Sequence, residues 1–284
     1  MLPQVILSGV LMGLIYALVA VGLTLIWGVM DIINFAHGDL MMWGMFIAYW
    51  GFALCGIDPL ASIPLSAIGL FLLGAFLYKA VVKRIVDAPL ITALLATYGL
   101  SLILKNSALL SFGPDYRTVD NPLLDGSWKL GALVISKPKF VGAIISILVI
   151  GALYYFIKKT QTGRAIQAIS MDRTAALLVG VNAERLYTIT FGIGAALTGI
   201  AGAILTNFFT ISPESGSTFV LLSFVIVALG GFGSITGALG AGILVGVVAA
   251  ICGFYLSPAF KFAIIFASYL VVVMVRPEKG LFGW

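Results

Sequence analysis

From Leu2 to Met30 the chain carries no acidic, basic or histidine side chain, and comparable apolar runs recur as far as Val275. A helix needs about 20 apolar residues to cross the hydrocarbon core of a bilayer. Runs of that length fall at roughly 4–29, 38–56, 60–81, 89–112, 140–157, 187–208, 218–232, 235–256 and 258–275. A strand barrel would instead alternate apolar and polar residues over segments of about ten. These runs are continuous, and only helices then satisfy every backbone group in lipid. Composition agrees: 61% of residues are hydrophobic and 10% charged, where soluble domains are about a quarter charged, and the mean hydropathy is +1.15. The expectation is an all-α, polytopic transmembrane bundle of eight or nine spans, some broken or re-entrant, forming one membrane domain over residues 1–284. The first basic residue is Lys79, so the N-terminal run lacks the basic start and the cleavage site of a secretory signal and reads as a retained first span.

The net charge of +5 comes from basic residues scattered among short connections, a pattern of membrane topology rather than of nucleic-acid binding. If the spans alternate, Lys79, Lys83, Arg84, Lys158, Lys159, Arg164, Arg173, Arg185, Arg276 and Lys279 share one side, which is expected to be the cytoplasm. Lys105, Arg117, Lys129, Lys137, Lys139 and Lys261 collect on the other. Residues 113–139, punctuated by Gly-Pro, Asn-Pro and Asp-Gly, read as an extracytoplasmic loop with room for a short hairpin. Residues 158–186 read as a cytoplasmic loop of short helices. Cys55 and Cys252 lie in apolar sequence without metal-ligand spacing.

Chemistry tested against the chain narrows it further. It has no GxxxxGK[ST] to hold nucleotide phosphates. The run Leu229–Gly246, "LGGFGSITGALGAGILVG", never completes GxGxxG, and its Gly233/Gly237 and Gly242/Gly246 spacings suit close helix packing in lipid. One histidine cannot make HExxH, and Asp39 lies two residues from His37, off its helix face. Neither a metal site nor an enzyme is expected. Between two apolar runs sits "NFAHGDL", residues 34–40, with Asn34, His37 and Asp39. One reading makes Asn34 an N-cap, Gly38 a flexible joint and Asp39 a first-turn acid. A second makes the stretch a helix break that opens onto a transport path. In the inner loop, "TAALLVG" (Thr174–Gly180) puts small residues on a short helix that glycine ends. A self-sufficient secondary transporter or channel is the rival class. Its usual intramembrane carboxylates are missing from the spans between Phe140 and Val275, where Asp and Glu occur only in connections.

Taken with "GLIYALVAVGLTLIWGVMDIINFAHGDLMMWG" (Gly13–Gly44), the stretches Thr162–Leu205 and Ser223–Gly246 make the chain resemble, over nearly its whole length, the permease subunit of ABC importers for branched-chain amino acids, the LivH type of leucine/isoleucine/valine uptake system. That resemblance implies a pore-forming subunit in a bacterial or archaeal cytoplasmic membrane, paired with a second, homologous or identical permease. It further implies two cytoplasmic ATPase subunits, which bind the ATP so that this chain holds no cofactor, and an extracytoplasmic solute-binding protein. Solutes in such a family include leucine, isoleucine and valine, other amino acids, urea and short amides. Arg173, Thr174, Ala175, Ala176 and Gly180 would then form the ATPase-coupling helix. Thr174 stands where importers generally have glutamate, while Ala175, Ala176 and Gly180 match. Asn34, His37, Gly38 and Asp39 would line the translocation path, faced by Gly230, Gly231, Gly233 and Ser234.

Overall fold

The structure, a computed structural model, describes residues 1–120, 122, 124–130, 133–256 and 260–275. Its helices are α1 (Leu2–Met30), α2 (His37–Cys55), α3 (Ile63–Ala80), α4 (Leu90–Phe112), α5 (Lys137–Lys159), α6 (Gln161–Met171), α7 (Arg173–Leu178), α8 (Ala183–Leu205), α9 (Ser215–Gly230), α10 (Ile235–Tyr255) and α11 (Phe260–Val275), with a 3₁₀ turn at Val82–Arg84. Seven of the described helices are long and apolar enough to cross a membrane, and α9 and α11 are shorter apolar helices. The nine fall where the nine apolar runs predict them. The only sheet among the described residues is an antiparallel hairpin, β1 (Ser127–Leu130) with β2 (Leu133–Ser136), in register Trp128↔Ile135. Arg276 and Lys279 lie outside the described residues.

Helices α1 and α8 occupy the centre and are buried along most of their length. Lipid gives apolar helices no hydrophobic reason to associate, so close van der Waals approach must hold them together. The sequence supplies it with glycine. A Cβ on Gly13 would lie 2.7 Å from the Gly242 carbonyl, and one on Gly242 2.6 Å from Ala17 Cβ. The same exchange joins α3 to α8, where a Cβ on Gly199 would sit 2.7 Å from the Ser66 carbonyl. Gly233/Gly237 works differently: Gly233 abuts Gly28 of α1, and Gly237 abuts Gly230 across the turn into α10.

The topology repeats with inverted direction. Helix α1 runs one way, an irregular segment (31–36) turns back, α2 starts partway along α1, and α3 returns; α8, the segment 206–214, α9 and α10 do the same in the opposite sense. His37 at the start of α2 lies beside Val19, deep along α1. The two interrupted helices begin side by side, since Gly38 and Gly216 touch backbone to backbone. Inverted repeats with broken helices meeting inside the bundle are a transporter architecture. Helix α1 ends because Asp31 takes the left-handed conformation (φ 54°) and its N–H bonds Trp27 O at 2.8 Å. Asp tolerates that geometry through its short polar side chain.

Candidate functional site

The stretch Asn34–Asp39 is the re-entrant connection into α2. Asn34 Oδ1 accepts from Ala36 N at 3.2 Å, so Asn34 closes a tight turn two residues before the N-cap, which is Ala36 and has no side-chain cap bond. The N-cap expected at Asn34 is therefore displaced, because the chain turns sharply before the helix begins. His37, fully buried, donates from Nε2 to Val19 O at 2.8 Å, which pins the start of α2 to α1. Glycine at position 22 makes room for the ring, since a Cβ there would stand 3.1 Å from His37 Cε1 and 2.8 Å from the Gly194 carbonyl. Gly38 is not a flexible joint: it lies in the first turn of α2, and any side chain would strike Gly216 O. Asn34 Nδ2 and His37 Nδ1 remain buried without partners.

Asp39, 4% exposed, accepts a hydrogen bond from Ser101 Oγ of α4 at 2.5 Å. Its charged neighbours are Lys105, one turn further along α4, and Glu214, the N-cap residue of α9, themselves paired at 2.7 Å. Charged groups within membrane-spanning structure are costly and mark functional paths. Sequence reading put Lys105 on the outer side within the span 89–112, where α4 holds it; what it did not show is the pairing across 109 residues. It likewise left Glu214 in a connection, and the re-entrant fold brings that connection to Asp39. Spacing along the chain carries no signal for either contact.

The glycine-rich run does not face Asn34–Asp39. Gly233 abuts Gly28 and Gly230 abuts Gly237, so Gly230, Gly231, Gly233 and Ser234 form the tight turn between α9 and α10, with positive φ at Gly231 (89°) and Gly233 (78°). The residue that faces Gly38 is Gly216. Gly233 and Ser234 instead line a cavity of about 440 Å³ with Thr24, Lys158, Gln167 and Ser170, where α1, α5, α6 and α10 meet.

At the end of the bundle bearing Lys83 and Lys158, α6 and α7 form the connection from α5 to α8. Thr160 caps α6 through a 3.0 Å bond from Gly163 N, and Asp172 caps α7 through a 2.9 Å bond from Ala175 N. Arg173 is tied to the bundle: its guanidinium pairs with Asp87 and lies 5.6 Å from the Tyr187 ring. That pairing holds the Asp87 carboxyl below the usual carboxylate range and the guanidinium above its own. Ala176 is buried against the bundle, while Met171, Leu178 and Val179 are 87%, 84% and 79% exposed. Gly180 ends the segment with φ 84° and open space around it.

Comparison with known proteins decides the family. The model of the branched-chain amino acid transport system / permease component family matches residues 5–274. The chain belongs to that family. The permease is 34% identical over 295 residues to the high-affinity branched-chain amino acid transport system permease protein LivH of Salmonella typhimurium, covering 99% of this chain and 95% of that one. It is 31% identical over 294 residues to BraD, a permease protein of the same description from Pseudomonas aeruginosa, with the same coverage. The ribose import permease protein RbsC of Bacillus subtilis is 30% identical over 138 residues, 46% of this chain and 42% of that one. No solved structure matches it. With its apolar helices, family membership makes the permease a multi-pass inner-membrane transport protein.

Proposed function

We propose that this permease is the pore subunit of an ATP-driven importer for branched-chain or closely related amino acids. In this reading it works with a second permease, two ATPase subunits on the face that carries α7, and a solute-binding protein on the hairpin face. The supporting observation is the make-up of α7. Its inner side is fixed by Arg173 and Ala176, while Leu178 and Val179 project as an apolar tip on a face otherwise rich in charge. Exposed apolar side chains on a charged face suit a protein-binding surface, and Gly180 leaves the space beside them empty. In this reading ATP hydrolysis belongs to a partner, in keeping with a chain that carries no GxxxxGK[ST]. A solute passing between the halves of the inverted repeat meets Asn34, His37, Gly38 and Asp39 where α2 and α9 start.

The test is purification of the native permease in mild detergent, wild type beside Gly180→Arg, with bound proteins identified by mass spectrometry. The wild type is expected to bring down an ATPase and a second permease, and Gly180→Arg to lose the ATPase alone. Wild type without any ATPase would overturn the reading.

A further inference from the structure

We propose that the face shared by α4 and α9 is a subsite for a small zwitterion with an apolar side chain. Its charged head is held between Lys105 and Glu214, and its side chain lies toward Phe35, Tyr98 and Phe224. This rests on the reading of the permease as an amino-acid importer subunit and says where the solute is held.

Helical spacing assembles the face. Tyr98, Ser101 and Lys105 recur at three and four residues along α4 and so share one side. Glu214 is the N-cap residue of α9, with no side-chain cap bond, and Phe224 lies on α9 ten residues further on, about three turns away. Between the two helices, Phe35 places its ring 6.2 Å from Tyr98, edge-on, and 5.1 Å from Phe224. One side of the ring cluster is left uncovered by this chain, Tyr98 being 50% exposed. The Lys105 and Glu214 side chains are 30% and 66% exposed, so each has capacity beyond the other. Side chains on a helix lean toward its N-terminus, which tilts Lys105 toward Ser101 and the rings.

The charge pattern selects the ligand. Two carboxylates, Asp39 and Glu214, stand against one ammonium, Lys105, and only Asp39 is held by a hydroxyl, that of Ser101. A solute carrying one ammonium and one carboxylate can enter the Lys105–Glu214 pair, giving its ammonium to the carboxylates and its carboxylate to Lys105. One ion pair is exchanged for two and no net charge is added inside the membrane. A net anion would face two carboxylates, and urea would use neither charge nor rings.

The test uses the assembled complex without its solute-binding protein, so that specificity residing elsewhere does not enter. With Cys55 and Cys252 replaced by serine, Ser217→Cys places a thiol at an exposed position one turn from Glu214. Labelling by a small thiol reagent is followed with leucine, leucinamide or 4-methylpentanoate, the last two each lacking one charge. Leucine at about ten times its Kd is expected to slow labelling about tenfold, the factor that occupancy of the site sets, and the other two to leave it unchanged. Glu214→Gln or Lys105→Met is expected to abolish the protection. The reversed pair Lys105→Glu with Glu214→Lys, which keeps a salt bridge, is not expected to restore it. If leucine gives no protection although the complete importer takes up leucine, or if the reversed pair restores protection in full, the subsite is wrong and the importer reading stands. If the complete importer takes up no leucine, the importer reading falls and the subsite with it.

Discussion

Single residues decide how the two interrupted helices meet. At Gly38 and Gly216 the backbones touch, and an added methyl must displace a helix. Gly38→Ala is expected to destabilise the permease by about 1–3 kcal/mol, as overpacking of a filled interior does, and to lower the thermal transition in detergent. Gly180→Ala meets no neighbour but forces alanine to a φ of 84°, a cost on the order of 1 kcal/mol confined to the loop. His37→Ala removes the bond to Val19 O and the ring filling the notch at Gly22. It is expected to cost about 2–4 kcal/mol, a lost buried hydrogen bond plus a cavity, read by the same melting experiment. The sequence marked "NFAHGDL" as exceptional because polar residues interrupted apolar runs. It could not show that His37 bonds the backbone of α1, because a carbonyl acceptor has no residue identity to read.

At the scale of elements, the nine apolar runs predicted the place of nine apolar helices, seven of them long enough to cross a bilayer, because length and continuity are legible in sequence. The outer loop reads as having room for a short hairpin, and one lies at 127–136, after the Gly-Pro, Asn-Pro and Asp-Gly turns; the helix-ending role of Gly180 followed from its place after "TAALLV". What stayed hidden was which element meets which. Lys105–Glu214 and Arg173–Asp87 are chosen by the fold, and glycine spacing shows that a helix packs closely without naming its partner. The Arg173–Asp87 tether supports a prediction. The pair is exposed, so Asp87→Asn is expected to change global stability by no more than about 1 kcal/mol while loosening α7, seen as faster hydrogen exchange over 173–178. Because the folded-state carboxyl is held below its usual range, the tether is complete above the ordinary Asp value near pH 4 and is lost only as pH falls through the lower folded value. Exchange in α7 is accordingly expected to stay flat between about pH 5 and 8 once corrected for intrinsic rates.

For the whole molecule, the inverted repeats place the starts of α2 and α9 together inside the bundle and leave α6 and α7 at one end, the hairpin at the other. Two hydrogen bonds between Gln4 and Val134, 2.5 and 2.8 Å, fasten the hairpin to the start of α1. Topology gives a direct check: in intact cells lacking native cysteines, Ser127→Cys is expected to react with an impermeant thiol reagent, and Met171→Cys only after the membrane is opened. The most direct measurement of the central claim is uptake of labelled leucine into proteoliposomes that hold the permease with its co-purifying subunits and binding protein. The account predicts uptake that requires ATP on the face carrying α7, persists when ion gradients are collapsed, and disappears with Gly180→Arg. Uptake driven by an ion gradient without ATP would contradict it.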